Sequence, residues 1–475
     1  MSDESDKSDK SNQPALIQLQ SLPVNTAQSV ESDVLEPLTF SQTEAVWEFA
    51  PKGFLHPSST LVVGFENNAN LNTAFPFVNI GIHSLVRRAV LRTTAGRVIC
   101  NCEDWSHLQS IKSMLINNST NKNKEQYLSG RQVDYEVVVD KNSSTLSTNG
   151  YGLSNGLEYN LRSTDALEGL SAQPHLKHSA GSTLQIKLHD LFPYMKSGNQ
   201  LPLYLLPNER IQVQLFWTDT KQRIAVPSSA DAQFQQELKL DKAKCKIISD
   251  HVFYPAEVMD KIRNEYQGGG RTFEYVDYRL SKQSISQVKA EETSTRNIGG
   301  AGMVVNKVLW GFQNPNDTTK SLCGLFHNEG GDMFANGNAT NLTSNLYMNG
   351  EYLYPIDVDN EARHFHNLKE ACGMVPFVSR QTYCGSGVGG LNTEAEGEFE
   401  GRKVDVGLGG KFFAQGFSLT GLNTRVDPKG IDIKSALDLP ALAVAPAIQT
   451  YTQRAWLEIR RYLIIKDGHL ECYFV

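Results

Sequence analysis

One short helix-like segment, Pro255 to Tyr266 (PAEVMDKIRNEY), separates two long stretches that read as strand after strand. Pro255 suits a first helical turn, and Val258, Met259, Ile262 and Tyr266 recur at helical spacing. Gly268, Gly269 and Gly270 then supply the residues with which helices stop. Two β-rich halves with almost no helix between them describe an all-β chain. Such a chain is more often a wall, an adhesin or a glycan binder than a metabolic enzyme.

In the first half, AVWEF (45–49) and TLVVGF (60–65) are strand-like, punctuated by Pro51, Pro57 and Asn67–Asn68. LVRRAVLRTTAGRVICN (85–101) reads as two strands joined by a turn at Ala95–Gly96. The period then changes. In EDWSHLQSIKSMLI (103–116), Trp105, Leu108, Ile111, Leu115 and Ile116 mark one helical face, and Glu103 and Asp104 fall in the expected first turn, where the macrodipole favours acids. This helix is expected to plug an end of a sandwich. Residues 117–182, rich in Asn, Ser, Thr and Gly, are too long for a simple connection; they form a projecting elaboration or a mobile one. Ile211, Val213, Leu215 and Trp217 alternate with Gln212 and Gln214, the mark of a strand with one dry side.

The second half restarts with RTFEYVDYRLS (271–281), where Phe273 and Tyr275 alternate with Glu274. GGAGMVVNKVLWGFQNP (299–315) is a further buried strand, followed by a polar insertion at 316–345. Asn349–Gly350 and Asp467–Gly468 are strong hairpin signals between apolar runs. Each half therefore repeats one order: strands, a polar insertion, then a long closing strand.

Composition narrows the function classes. The formal net charge of -7 argues against a grip on nucleic acid, which needs clustered Lys and Arg. The seven cysteines lack CxxC spacing, and the expectation is buried free thiols from a reducing compartment. Residues 1–14 (MSDESDKSDKSNQP) are polar, carry no apolar stretch of a secretory leader, and are expected to be mobile on their own. The longest apolar run, Leu437–Ile448, is broken by Asp438, Pro440 and Pro446, far short of the roughly 20 residues of a bilayer span.

Sharper motifs are few. Gly385, Gly387 and Gly390 (GSGVGG) match a dinucleotide fingerprint, but the acidic LNTEAEGEFEG after them is a poor helix and repels phosphate, so the segment reads as a loop. His364 and His366 form an HxH below Asp357, Asp359 and Glu361. On a strand the two imidazoles point the same way and can share a metal with a carboxylate; the competing reading is a solvated polar loop after Pro355. Sequons at Asn117, Asn118, Asn142, Asn316, Asn338 and Asn341 all fall in the two polar insertions, agreeing with surface placement rather than demonstrating modification. No catalytic or cofactor-binding residue is nominated, and no cofactor is expected.

Several stretches resemble, in order, the double jelly-roll major capsid proteins of polinton-like viruses, virophages and large DNA viruses of eukaryotes. They are SLVRRAVLRTTAGRVICNCEDW (84–105), LPLYLLPNERIQVQLFW (201–217), CKIISDHVFYPAEVMDKI (245–262), LYMNGEYLYP (346–355) and the tail from Phe413. The resemblance implies two tandem jelly-roll β-sandwiches. Residues 1–42 would be an N-terminal arm, 43–254 the first roll, 255–270 a linker helix and glycine turn, and 271–475 the second roll. It also implies a homotrimer with a near-hexagonal outline that tiles an icosahedral virion capsid, synthesised and assembled inside the host cell. Penton, vertex and minor capsid proteins would be further partners, with no sequence-specific nucleic acid; membrane contact is left open. Two other readings compete: a glycan-binding or adhesive surface protein, which exposed aromatic loop tips would favour, and a two-sandwich hydrolase, which needs convergent carboxylates.

Overall fold

The computed structural model describes residues 29–66, 81–116, 128–129, 136–140, 183–196, 199–218, 239–269, 271–289, 291–313, 342–359, 361–372, 398–399, 402–406, 415–422, 425–438 and 448–475. In the first half the strands are β1 (Ser29–Leu35), β2 (Thr39–Phe40), β3 (Glu44–Glu48), β4 (Phe54–Leu55), β5 (Thr60–Gly64) and β6 (Val86–Thr93). They continue with β7 (Val98–Glu103), β8 (Glu136–Asp140), β9 (Thr183–Lys187), β10 (Leu201–Pro202), β11 (Ile211–Trp217) and β12 (Lys246–Phe253). The second half holds β13 (Arg271–Gln287), β14 (Glu291–Gly299), β15 (Val305–Gln313), β16 (Leu342–Met348), β17 (Glu351–Tyr352) and β18 (Glu398–Phe399). It closes with β19 (Arg402–Val406), β20 (Gln415–Ser418), β21 (Ile431–Asp438), β22 (Gln449–Lys466) and β23 (His469–Phe474). Helices are α1 (Trp105–Ile116), α2 (Leu188–Leu191), α3 (Pro193–Lys196), α4 (Ala256–Gly269) and α5 (Glu361–Cys372).

These strands make two sandwiches. In the first, a sheet ordered β10-β4-β12-β5-β9, with β1 also on β12, faces a sheet ordered β2-β3-β11-β6-β7. In the second, β13-β22-β15-β20, with β23 also on β22, faces β14-β21-β16-β17. A separate three-stranded sheet, β18-β19-β8, joins a strand inside the 117–182 insertion to one from the second half.

Alternation explains the burial. Ile211, Val213, Leu215 and Trp217 are buried along β11 while Gln212 and Gln214 are half-buried between them. Trp47 and Trp105 fill the first core, Trp310 and Trp456 the second, all fully enclosed. Both expected tight hairpins are present. Asn349 and Gly350 adopt φ of 55° and 89°, and Asp467 and Gly468 adopt 52° and 77°. Positive φ at both central residues is what a type I′ turn requires.

Two local readings need correction. Helix α4 starts at Ala256 and runs to Gly269, so Pro255 precedes it and Gly268 and Gly269 lie inside its last turn. Packing holds that end: Tyr266 is buried and stacks on Phe273 at 6.2 Å. Glu103 and Asp104 are not in the first turn of α1, which contains no acid. Glu103 ends β7 and Asp104 turns the chain at φ 45°, and both are drawn towards the second sandwich. Trp105, Leu108 and Ile111 do bury into the core as expected. In the second polar insertion, residues 342–345 belong to β16, and 316–341 lie outside the described residues.

Candidate functional site

Among the described residues, a dense polar network lies where the two sandwiches meet. β6 occupies one edge of β7; the other edge faces the second sandwich. An open edge presents unpaired backbone groups and invites promiscuous pairing. Here side chains of β13 and β22 close it. The Ile99 carbonyl accepts from the Tyr275 hydroxyl at 2.7 Å and from Arg461 Nη1 at 2.8 Å. Arg461 Nη2 donates to the Val98 carbonyl at 3.0 Å, and Trp456 Nε1 to the Glu103 carbonyl at 3.2 Å. The Asn101 backbone N–H reaches the Asp277 carboxylate.

Asp277 and Arg461 anchor this seam. Arg461 Nη1 lies 2.9 Å from Asp277 Oδ2, and Asp277 is only 4% exposed. Burial pushes the Asp277 carboxyl up to about 6 although Arg461 pulls the other way. At one end of β7, Asp104 accepts from Arg454 Nε at 2.9 Å and pairs with Lys282 at 3.7 Å. Towards the other end, Arg97 donates to the Leu470 carbonyl, and the buried Glu209 carboxylate meets His469 Nδ1 at 2.9 Å.

A third cluster sits under α1. The Lys112 amine lies 4.5 Å from the Tyr278 ring centre and 5.9 Å from that of Trp105. The Tyr278 hydroxyl donates to Glu458, which also holds Lys307 at 3.0 Å. Burial drags the Lys112 amine down to about 7. Burial opposes ionisation of Glu458 as well, yet Lys307 and Tyr278 keep its carboxyl below the ordinary range.

These contacts tie the edge of the first sandwich to β13 and β22 of the second. The Cys100 and Cys102 thiols beside it are pushed far up by burial, which suppresses the reactive thiolate. The five described cysteines are free.

The HxH reading fails on secondary structure. His364 and His366 lie on α5, not on a strand, and two residues along a helix turn to different sides. His364 is buried with Nε2 3.1 Å from Ser344 Oγ, whereas His366 is exposed. Asp357 is held by Lys434 at 2.7 Å and Asp359 by Arg363 at 3.4 Å. Among the described residues no group of three or more His, Cys, Asp or Glu is placed to hold a metal ion. Gly385, Gly387 and Gly390 lie outside the described residues, as do all six sequon asparagines. Sequence reasoning missed Asp277, though a signal existed: it shares strand parity with the apolar Phe273 and Tyr275.

Comparison with known proteins agrees with the architecture. No protein-family model and no curated protein matches the chain. Solved structures do. PBCV-1 VP54, fitted into a cryo-EM reconstruction of the virophage Sputnik, aligns with a TM-score of 0.57 at 10% identity, covering 96% of this chain and 98% of that one. The Sputnik virophage cryo-EM structure aligns at 0.55 and 11% identity, covering 98% and 92%. A PBCV-1 capsid structure aligns at 0.54 and 10% identity, covering 96% and 98%. Two sandwiches in tandem, each of two facing sheets of four to six strands and matched end to end, make this chain a double jelly-roll protein with the fold of these viral capsid structures.

Proposed function

We propose that the chain is a major capsid protein, a non-enzymatic building block of a virion shell. Three copies associate about a three-fold axis, so that six sandwiches give a near-hexagonal block. Such blocks tile an icosahedral surface, with other proteins at the vertices. Residues 1–42 act as an arm whose strands β1 and β2 pair onto the first sandwich, and 43–254 and 271–475 act as the two rolls. The observation that supports this most is the end-to-end match, over 96% of this chain and 98% of the other, to a protein fitted into a virophage particle. The seam supports it too, because a tile must keep its two halves in a fixed mutual orientation. Permanent homo-oligomer interfaces bury on the order of 2,000–5,000 Å². Contacts between blocks are then smaller and more polar, which lets a growing shell correct errors.

Negative-stain electron microscopy of the purified protein tests the reading. Hexagonally packed sheets or closed shells support it; isolated single chains at every concentration overturn it.

A further inference from the structure

β1 is bound to the first sandwich differently from the strands around it. It pairs with β12 in unbroken antiparallel register, Ser29 opposite Phe253 through Leu35 opposite Ile247, and with no other described strand. Yet it buries little apolar surface. Val30 and Val34 are 57% and 61% exposed, and only Leu35 packs partly against the core. Its hold is backbone pairing plus charge. Lys52 Nζ lies 2.7 Å from Asp33 Oδ2 and 3.3 Å from Glu31 Oε2. His251 Nε2 lies 3.7 Å from the same Asp33 oxygen, and Ser32 Oγ donates to Asp250 at 2.7 Å.

The receiving edge is thus a socket for an acidic strand, with Lys52 and His251 facing Glu31 and Asp33. Nothing in that complementarity depends on which copy supplies the strand. The link to the body is short: Glu36, Pro37 and Leu38 lead into β2, which belongs to the opposite sheet. The residue before a proline is restricted to extended backbone, so Glu36 favours a straight link over a tight return. Within that link Leu38 is 60% exposed, continuing the uncovered Val30 and Val34. Exchange of an identical element between copies keeps every native contact and is a low-cost route to association.

We propose that β1 is an exchangeable strand: in the assembled protein it leaves its own β12 and completes the β12 edge of a second copy. The exchange fastens one copy to the next through the same seven-residue ladder and the same Asp33–Lys52 pair. This inference rests on the capsid reading, which requires neighbouring copies in the first place.

Paired cysteines test it in the full chain. Val34→Cys with Ile248→Cys, and separately Val30→Cys with Val252→Cys, join residues that face each other across the ladder. The single substitutions serve as controls, and the assembled protein is oxidised and run without reductant. Exchange yields covalent dimers and higher multimers that collapse to one chain on reduction. Intrachain links alone, or no link in either pair, overturn the proposal. A second measurement avoids cysteine: Asp33→Lys and Lys52→Asp each break the pair within one chain. Mixing the two variants restores assembly if β1 crosses between copies and leaves it impaired if it does not. Particles that form with only intrachain links reject the exchange and keep the shell; a protein that never assembles rejects the shell itself.

Discussion

Arg461 Nη1 lies 2.9 Å from Asp277 Oδ2 and 2.8 Å from the carbonyl of Ile99, so one guanidinium neutralises a buried acid and closes the neighbouring sandwich's edge. Removing it leaves two losses at once. Arg461→Ala strands a buried carboxylate and removes one donor each from the Val98 and Ile99 carbonyls, leaving Ile99 with the Tyr275 hydroxyl. Breaking a buried pair from one side costs about 3–5 kcal/mol. Thermal unfolding is expected to move to lower temperature and to split into two transitions as the sandwiches lose their coupling.

Asp277 gives the seam a pH signature. Its folded pKa, about 6, stands above the ordinary 3.8, so the folded state binds the proton more tightly than the unfolded chain. That stabilisation is fully present below about 3.8 and is lost as pH rises through 6. The difference corresponds to about 3 kcal/mol. Denaturation of the natural protein and of Asp277→Asn, compared between pH 4 and pH 7, is expected to show the natural protein losing ground steadily.

Lys112 works in a different window. Burial lowers its amine from 10.5 to about 7, so the unfolded chain holds the proton more tightly between those values. The cost of burying the ammonium is complete at and below pH 7 and fades as pH rises towards 10.5. Lys112→Met is therefore expected to stabilise, by at most about 5 kcal/mol at pH 7 and by progressively less in alkali. Urea titrations of both proteins at pH 7, 8 and 9 measure that narrowing gap.

Two glycines separate torsional from steric cost. A Cβ at Gly350 meets nothing within 4 Å, so Gly350→Ala pays only for φ of 89° in the type I′ turn, about 1 kcal/mol. A Cβ at Gly416 falls 2.7 Å from the Ala371 Cβ and 3.1 Å from the Leu368 Cα, where α5 lies on β20. Gly416→Ala is expected to cost more, about 1–3 kcal/mol, by lifting that helix. Melting temperatures of the two variants give the order.

The strands were largely legible, because alternation along β11 and the Asn349–Gly350 and Asp467–Gly468 turns are local signals. The seam was not. Arg461 and Ile99 are 362 positions apart, and no periodicity connects them. Helix polarity, the nearest local rule, assigns Glu103 and Asp104 to a first turn, while the Glu103 carbonyl and the Asp104 carboxylate meet Trp456 and Arg454 of the second half. His364 and His366 misled for a related reason: alternate spacing means one face only on a strand, and Glu361–Cys372 is a helix. The polar residues in DVDN and HFH suggested a loop, whereas Leu368 and Ala371 bury that helix against the core.

On the proposed capsid reading, salt separates the two levels of assembly. Screening shortens to about 3 Å at 1 M ionic strength, weakening exposed charge pairs more than buried apolar contacts. Shells are expected to come apart at high salt into their constituent blocks, read by light scattering, while the blocks persist.

The mass of that smallest block in solution is the most direct test. Sedimentation equilibrium across micromolar concentrations is expected to give three times the 52.7 kDa of one chain. A species of one chain mass throughout that range contradicts the account.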